Sequence, residues 1–150
     1  MNLKDKINED LKAAMKSGDK IKLETVRSIR AVILEFEKSG SGKEITPDDE
    51  IKMLSTAAKK RKEAIEQFEK AGRNELADKE KAELEVIMEY MPKQLSEEEI
   101  LSIIKKIAEE LGVTGKDGFA KLMPTSMKEM KGKADGKIVR ALVEKYLESI

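Results

Sequence analysis

The chain has 150 residues, enough for one ordinary domain or for two small helical ones. Thirty cations balance thirty anions, charged residues make up 40% and aromatics 3%, and Trp, His and Cys are absent. That composition excludes disulfides, thiolate chemistry, the commonest general base and a global field that would draw the chain to nucleic acid or membrane.

High charge with few aromatics can mark disorder, but here the apolar residues recur at helical spacing, which disordered chains lack. The first residues, Asn2-Leu3-Lys4-Asp5-Lys6, are already charged. The expectation is therefore a cytoplasmic chain with no signal peptide and no membrane span.

Leu3, Ile7, Leu11 and Ala14 predict an amphipathic helix over 2–16, stopped by Ser17-Gly18. Asp19 caps a second helix, about 19–38, with Val26, Ile29, Ile33 and Phe36 on one stripe. Beside it runs Leu23, Arg27, Arg30 and Leu34, where two arginines are expected to lay their stems on the core and reach out to water, or else to bind an anion or pair with a carboxylate across the bundle. Ser39-Gly40-Ser41-Gly42-Lys43 predicts a flexible loop. It is not a nucleotide-binding loop, because Glu37 stands where the first glycine belongs and Glu44 follows the lysine.

Thr46-Pro47-Asp48-Asp49 is a helix start, with a cap, a proline at the first position and acids on the dipole. The helix it opens runs to about Ala71 and carries a seam of Ile51, Leu54, Ala58, Arg61, Ile65 and Phe68. A fourth helix follows Gly72 and runs to about Met91, with Leu76, Leu84, Ile87 and Met91 facing inward. Folding this pair back at Gly72 sets Arg61 opposite Glu80 and Glu83, a candidate structural ion pair. The run Lys59-Lys60-Arg61-Lys62 points around most of a helical cylinder, so it reads as a solvated face with Glu63, Glu66 and Glu69.

Tyr90-Met91-Pro92-Lys93-Gln94-Leu95 predicts a boundary, giving a helical unit over 1–94 and a smaller one over 95–150. Ser96 and Glu99 form a capping box for a fifth helix, about 97–111, which buries Ile100, Ile103, Ile104 and Ile107 or Leu111. After a turn at 114–118, a sixth helix holds Phe119, Leu122 and Met123, with Pro124 able to restart or kink it. It ends near Met130, where Gly132 supplies a left-handed cap. Asp135 opens a seventh, to about Glu148, burying Ile138, Val139, Leu142, Val143 and Tyr146. No segment alternates with period two, so the fold class is all-α: a four-helix N-terminal domain with a long hairpin, and a three-helix C-terminal domain.

The chemistry this sequence permits is narrow. Asp48-Asp49-Glu50 and Glu97-Glu98-Glu99 read as helix N-terminal acids rather than metal ligands. No serine has a matched base, and the expectation is no metal, no cofactor, no catalytic residue and no autonomous enzyme. From Lys116 to Arg140, however, seven cations face three anions, a local +4 in a neutral protein. Lys128, Lys131, Lys133, Lys137 and Arg140 crowd the turn between the last two helices, and are the candidate RNA-binding residues. Phosphates suit such a corner, because the helix start also favours anions. With only Phe119 and Tyr146 nearby for stacking, a structured RNA fits better than an unpaired strand.

Several of these pieces, in this order, resemble the GatB/YqeY family, and more closely its free-standing YqeY branch. They are Leu23-Glu24-Thr25-Val26-Arg27, Lys60-Arg61-Lys62-Glu63-Ala64-Ile65 with Phe68, Ala71-Gly72-Arg73, Glu75-Leu76-Ala77, Glu89 through Ile100, and Lys131-Gly132-Lys133-Ala134-Asp135-Gly136. The resemblance implies an all-helical protein related to the GatB tail of the aspartyl/glutamyl-tRNA amidotransferase, a tRNA-recognition appendage. It also implies carbon-nitrogen ligase activity with glutamine as amido-N-donor, although the phosphorylation and transamidation machinery of that enzyme lies outside any such tail. Carried over, the tail's basic corner falls on Lys131, Lys133, Lys137 and Arg140; Lys128 joins it on charge alone. The expected partners are tRNA, or else an amidotransferase or translation protein held by the long hairpin, with the chain itself a monomer and no membrane involved.

Overall fold

The computed structural model describes residues 2–39 and 44–150; the Gly-Ser loop expected at 39–43 falls, for residues 40–43, outside the described residues. The chain is all-helical, in the order α1 (Leu3–Ser17), α2 (Lys20–Lys38), α3 (Pro47–Lys70), α4 (Asn74–Met88), α5 (Glu97–Leu111), α6 (Phe119–Glu129) and α7 (Gly136–Glu148). A single 3-10 turn, Lys116–Gly118, leads into α6. Among the described residues there is no strand, and no helix is long and apolar enough to cross a membrane. The chain divides into two compact units between Met91 and Pro92.

Local chemistry fixes the helix ends. Asn2, Asp19, Thr46, Ser96 and Asp135 each accept a backbone N–H in the first turn of the helix that follows. Each such cap contributes about 1 kcal/mol, because the first N–H groups of a helix have no partner within it. Thr46 with Asp49 and Ser96 with Glu99 close reciprocal capping boxes. The start of α1 has a further partner: Leu3 N–H donates to the Glu50 carboxylate at 2.7 Å, joining the first turns of α1 and α3.

In the N-terminal unit Leu3, Ile7, Val26, Ile29, Ile33, Leu54, Ala58, Val86 and Ile87 form the core. α3 and α4 are the most closely packed pair, folding back at Gly72, whose φ of 71° only glycine adopts readily. α4 stops at Met88, three residues short of the expected Met91. Leu76 shares the phase of the buried stripe but is 39% exposed, and Ala77 is buried instead. Leu76 sits in the first turn of α4, beyond the Lys79–Glu24 pair, where its neighbours cover it only in part.

Tyr90 holds the end of this unit in place. Its hydroxyl donates to the Asp10 carboxylate on α1, and the Lys6 ammonium lies 5.2 Å from its ring centroid. Burial first, then Asp10 as hydrogen-bond partner and charge, push the phenol well above its ordinary pKa, so it stays a donor.

Charge enters the same interior at Arg61. Its Nε lies 3.3 Å from Glu83 and 3.6 Å from Glu80, both on α4, and an Nη2 donates to Ser28 Oγ of α2 at 3.3 Å. Glu83 is buried, and two carboxylates share one guanidinium. Desolvation, then the neighbouring Glu83 charge, raise the pKa of Glu80, and Arg61 offsets them only in part.

The C-terminal unit closes around Ile100, Ile104, Ile107, Ala108, Leu122, Met130, Val139, Val143 and Leu147. Of the alternatives Ile107 and Leu111, Ile107 takes the core position and Leu111, the last residue of α5, is exposed. The expected inward set needs one correction, Ile138, which is 39% exposed, and one addition, Leu147, which is buried. The buried residues of α7 are Val139, Val143 and Leu147, spaced by four, and Ile138 flanks that row. Pro124 neither breaks nor restarts α6, which runs unbroken through it at the cost of one backbone hydrogen bond. Gly118 is required by packing: a Cβ there would stand 2.7 Å from Val113 Cβ.

Arg61→Ala would leave Glu83 buried without its counter-charge and is expected to cost about 3 kcal/mol in urea unfolding. Glu80 has a native pKa above its unfolded value, so the folded state binds its proton more tightly. Stability at this site is therefore greatest below the ordinary carboxylate range and falls as pH rises through the raised native value. Glu80→Gln is expected to flatten that fall and to leave neutral-pH stability equal or higher, as unfolding at about pH 4.5, 5.5 and 7 would show.

Candidate nucleic-acid interface

The turn between α6 and α7 is built by backbone and side-chain hydrogen bonds. Met130, buried beneath it, caps α6 by donating to Ser126 C=O at 3.0 Å. Gly132, at φ 76°, reverses the chain, and Lys133 N–H closes back on Met130 C=O at 2.9 Å. Asp135 then accepts from Lys137 N–H at 2.9 Å and starts α7. Gly136 brings α7 against the Met127 methyl, which would lie 3.1 Å from a Cβ built there.

A second segment clamps this turn from outside. Leu95 N–H donates to Lys133 C=O at 2.8 Å, and the Gln94 side-chain amide donates to Gly132 C=O and to Pro92 C=O, each at 2.8 Å. The carbonyls that a tight turn leaves facing outward are thus satisfied by a neighbouring segment of chain rather than by water. The turn is fixed on both sides.

The five candidate cations have different surroundings. Lys128 lies in the last turn of α6, where it complements the helix dipole; Lys131 and Lys133 flank Gly132; Lys137 lies in the first turn of α7; all four are exposed. None of these four makes an ion pair among the described residues. Arg140 differs. Its Nε is 3.1 Å from Glu144 Oε1, and its guanidinium lies 5.8 Å from the Phe119 ring centroid. Its planar face is thereby committed to the α7–α6 contact, one turn away from the lysines. The local anions are partly used as well, since Asp135 serves as the α7 cap.

Arg140 and Phe119 also border an open cleft of about 350 Å³, lined by Lys116, Phe119, Arg140, Glu144, Leu147 and Glu148. The lining mixes two cations, two carboxylates and an apolar floor, and it contains no hydroxyl, thiol or imidazole. It suits a small molecule bearing both charges better than it suits covalent chemistry. In the other unit, Arg61, Glu80 and Glu83 meet between α3 and α4, with Glu83 buried and the other two half-buried. Sequence reasoning did not single out Gln94. Its only sequence signal was its place in the Pro92-Lys93-Gln94-Leu95 run, and a side-chain amide bonded 38 residues away leaves no periodic trace.

Fold and corner together define a class: small all-helical proteins of two units, the second carrying a clamped lysine-rich turn between its last two helices. The chain belongs to the YqeY-like family, whose model, described as Yqey-like protein, matches residues 4–147. It is 33% identical over 132 residues to altered inheritance of mitochondria protein 41, mitochondrial, of Pyrenophora tritici-repentis, covering 86% of this chain and 71% of that one. The Saccharomyces cerevisiae protein of the same name (strain YJM789) is 33% identical over 131 residues, covering 85% of this chain and 68% of that one. An uncharacterized protein of Schizosaccharomyces pombe is 35% identical over 97 residues, covering 63% of this chain and 76% of that one.

Gly132→Ala would force a Cβ into the left-handed region at a cost of about 1 kcal/mol and would strain both clamp bonds. A lower melting temperature is expected, with earlier amide exchange at Leu95 than at Ile104 in the α5 core.

Proposed function

We propose that this chain is a non-catalytic RNA-binding accessory module, acting as a monomer on tRNA through the turn between α6 and α7. The observation that carries this reading is the set of four exposed lysines, Lys128, Lys131, Lys133 and Lys137, without ion-pair partners on a turn held by the Gln94 and Leu95 hydrogen bonds. Lysines that are not neutralised within the protein release counterions when they meet phosphates, and a fixed turn loses little freedom on binding. Arg140 takes a lesser part, because Glu144 and Phe119 already engage it. That contact also occupies the Phe119 ring, which weakens the case for stacking on unpaired bases and favours a folded RNA. The reading takes the cytoplasm as its compartment; the Pyrenophora tritici-repentis and Saccharomyces cerevisiae relatives are mitochondrial by name.

Two other readings are supported less. An adaptor that holds an amidotransferase or translation protein on the α3–α4 hairpin would need an apolar patch there, and Leu76 is the one exposed large apolar side chain on those helices among the described residues. Participation in glutamine-dependent carbon-nitrogen ligase activity finds no support in the cleft beside Phe119, whose lining offers no nucleophile of the hydroxyl or thiol kind.

Binding of total tRNA across a salt series tests the proposal, beside the triple variant Lys131→Glu, Lys133→Glu, Lys137→Glu. The expected result is roughly micromolar binding at low salt that weakens steeply with salt, as four to six phosphate contacts require, and that collapses in the variant. No binding at low salt would remove the RNA reading and turn attention to the hairpin.

A further inference from the structure

The clamp brings another lysine to the corner. Lys93 lies between Pro92, whose carbonyl accepts from Gln94, and Leu95, whose N–H is bonded to Lys133 C=O. The same Gln94 amide is bonded to Gly132 C=O, so the backbone on both sides of Lys93 is tied to the Lys131–Lys133 turn. Consecutive Cα atoms are about 3.8 Å apart, so a residue one position from two anchored neighbours cannot stray from that surface. Lys93 is exposed and makes no ion pair among the described residues. Lys93 and Lys131 are far apart in sequence, yet the segments that carry them are joined by the Gln94–Gly132 and Leu95–Lys133 hydrogen bonds.

We infer that Lys93 is a phosphate-contacting residue, and that the binding surface is composite, formed by the Pro92–Leu95 segment and the Lys131–Lys133 turn together. The inference rests on the RNA reading above and adds a residue to it. The ligand class is the phosphodiester backbone of a folded RNA. An acidic protein surface is the competing class, and the residue types disfavour it. Protein interfaces place aromatic and apolar anchors at their centre and are depleted in lysine, whereas Lys93, Lys131 and Lys133 surround hydrogen-bonded backbone. Lysine is a compact point charge suited to phosphate oxygens, and it needs no planar partner.

The test uses the full chain and total tRNA, with Lys93→Ala measured beside Lys131→Glu/Lys133→Glu across the same salt series. Because Lys93 is exposed and its side chain makes no hydrogen bond among the described residues, Lys93→Ala is expected to melt with the wild type. Its binding is expected to weaken at low salt, and the slope of log K against log salt to fall by about one. If the double variant loses binding while Lys93→Ala keeps wild-type affinity and slope, Lys93 lies off the surface and the inference falls alone. If the double variant also binds as wild type, the RNA reading falls and the inference falls with it. Polyglutamate of matched charge is added as a competitor for the protein's cations. Failure to displace wild-type protein from tRNA supports the phosphate class, and preferential binding of the wild type over Lys93→Ala to polyglutamate at equal charge would overturn it in favour of an acidic protein.

Discussion

Apolar surface is scarce in this chain, and the rest of the structure follows from how it is spent along each helix. With so few aromatics, both cores are assembled from Ile, Val, Leu and Ala in rows spaced three and four apart. Each fully buried aliphatic side chain contributes about 1.5–3 kcal/mol, so a helix that presents only three of them cannot tolerate frayed ends. Hence the density of caps: five of the seven helices, α1, α2, α3, α5 and α7, start with a polar side chain on a free N–H group, and Glu50 reaches across to serve α1 as well. The stripes supply the attraction, and the caps set where each stripe begins.

Against that background Arg61 is costly. Apolar residues in place of Arg61, Glu80 and Glu83 together would pack the α3–α4 seam without desolvating three charged groups, and replacing a whole buried ion-pair set by apolar packing is often neutral or stabilising. What the pair adds is selectivity. Glu80 and Glu83 lie three residues apart on α4 and meet one guanidinium from α3, while Ser28 of α2 accepts from the same group. A slip of α4 by one turn would leave a carboxylate facing apolar side chains, a larger penalty than any loss of packing. The geometry is that of a register device for three helices, and burial of Glu80 beside the Glu83 charge, which Arg61 offsets only in part, explains why Glu80 holds its proton more tightly than a free carboxylate.

Most of the fold is legible in the sequence because helix periodicity and capping are local. Ser17-Gly18-Asp19, Thr46-Pro47 and Ser96-Glu97-Glu98-Glu99 each state a boundary within four residues, and the structure places the ends within a residue or so of them. The α4 terminus was harder, since Pro92 stops a helix but does not say how far upstream the last turn unwinds. Burial at the margins was also unreadable: Leu76, Leu111 and Ile138 have apolar chemistry and helical spacing, but their exposure depends on where a neighbouring helix ends. The lysines of the corner could be named by charge. That Arg140 is engaged by Glu144 and Phe119, and that Lys93 stands with Lys131, could not, because both depend on contacts between segments with no shared pattern.

Overall neutrality also bears on how such a corner would work. At physiological ionic strength charges are screened over about 8 Å, so a phosphate touching Lys131 or Lys133 responds to the charges close to that turn. These include the acidic first turn of α5, which begins two residues after the Leu95–Lys133 hydrogen bond and weakens the local positive field. Long-range attraction is another matter, because a chain with equal numbers of cations and anions has no net field to steer a polyanion from a distance. Any tRNA bound here would be captured at an ordinary, unsteered rate and retained by short-range ion contacts. The fixed geometry of the turn then becomes decisive. With no field to gather ligand, affinity would depend on lysines carried by a backbone that is already fixed, and the hydrogen bonds of Gln94 and Leu95 fix the turn that carries Lys131 and Lys133.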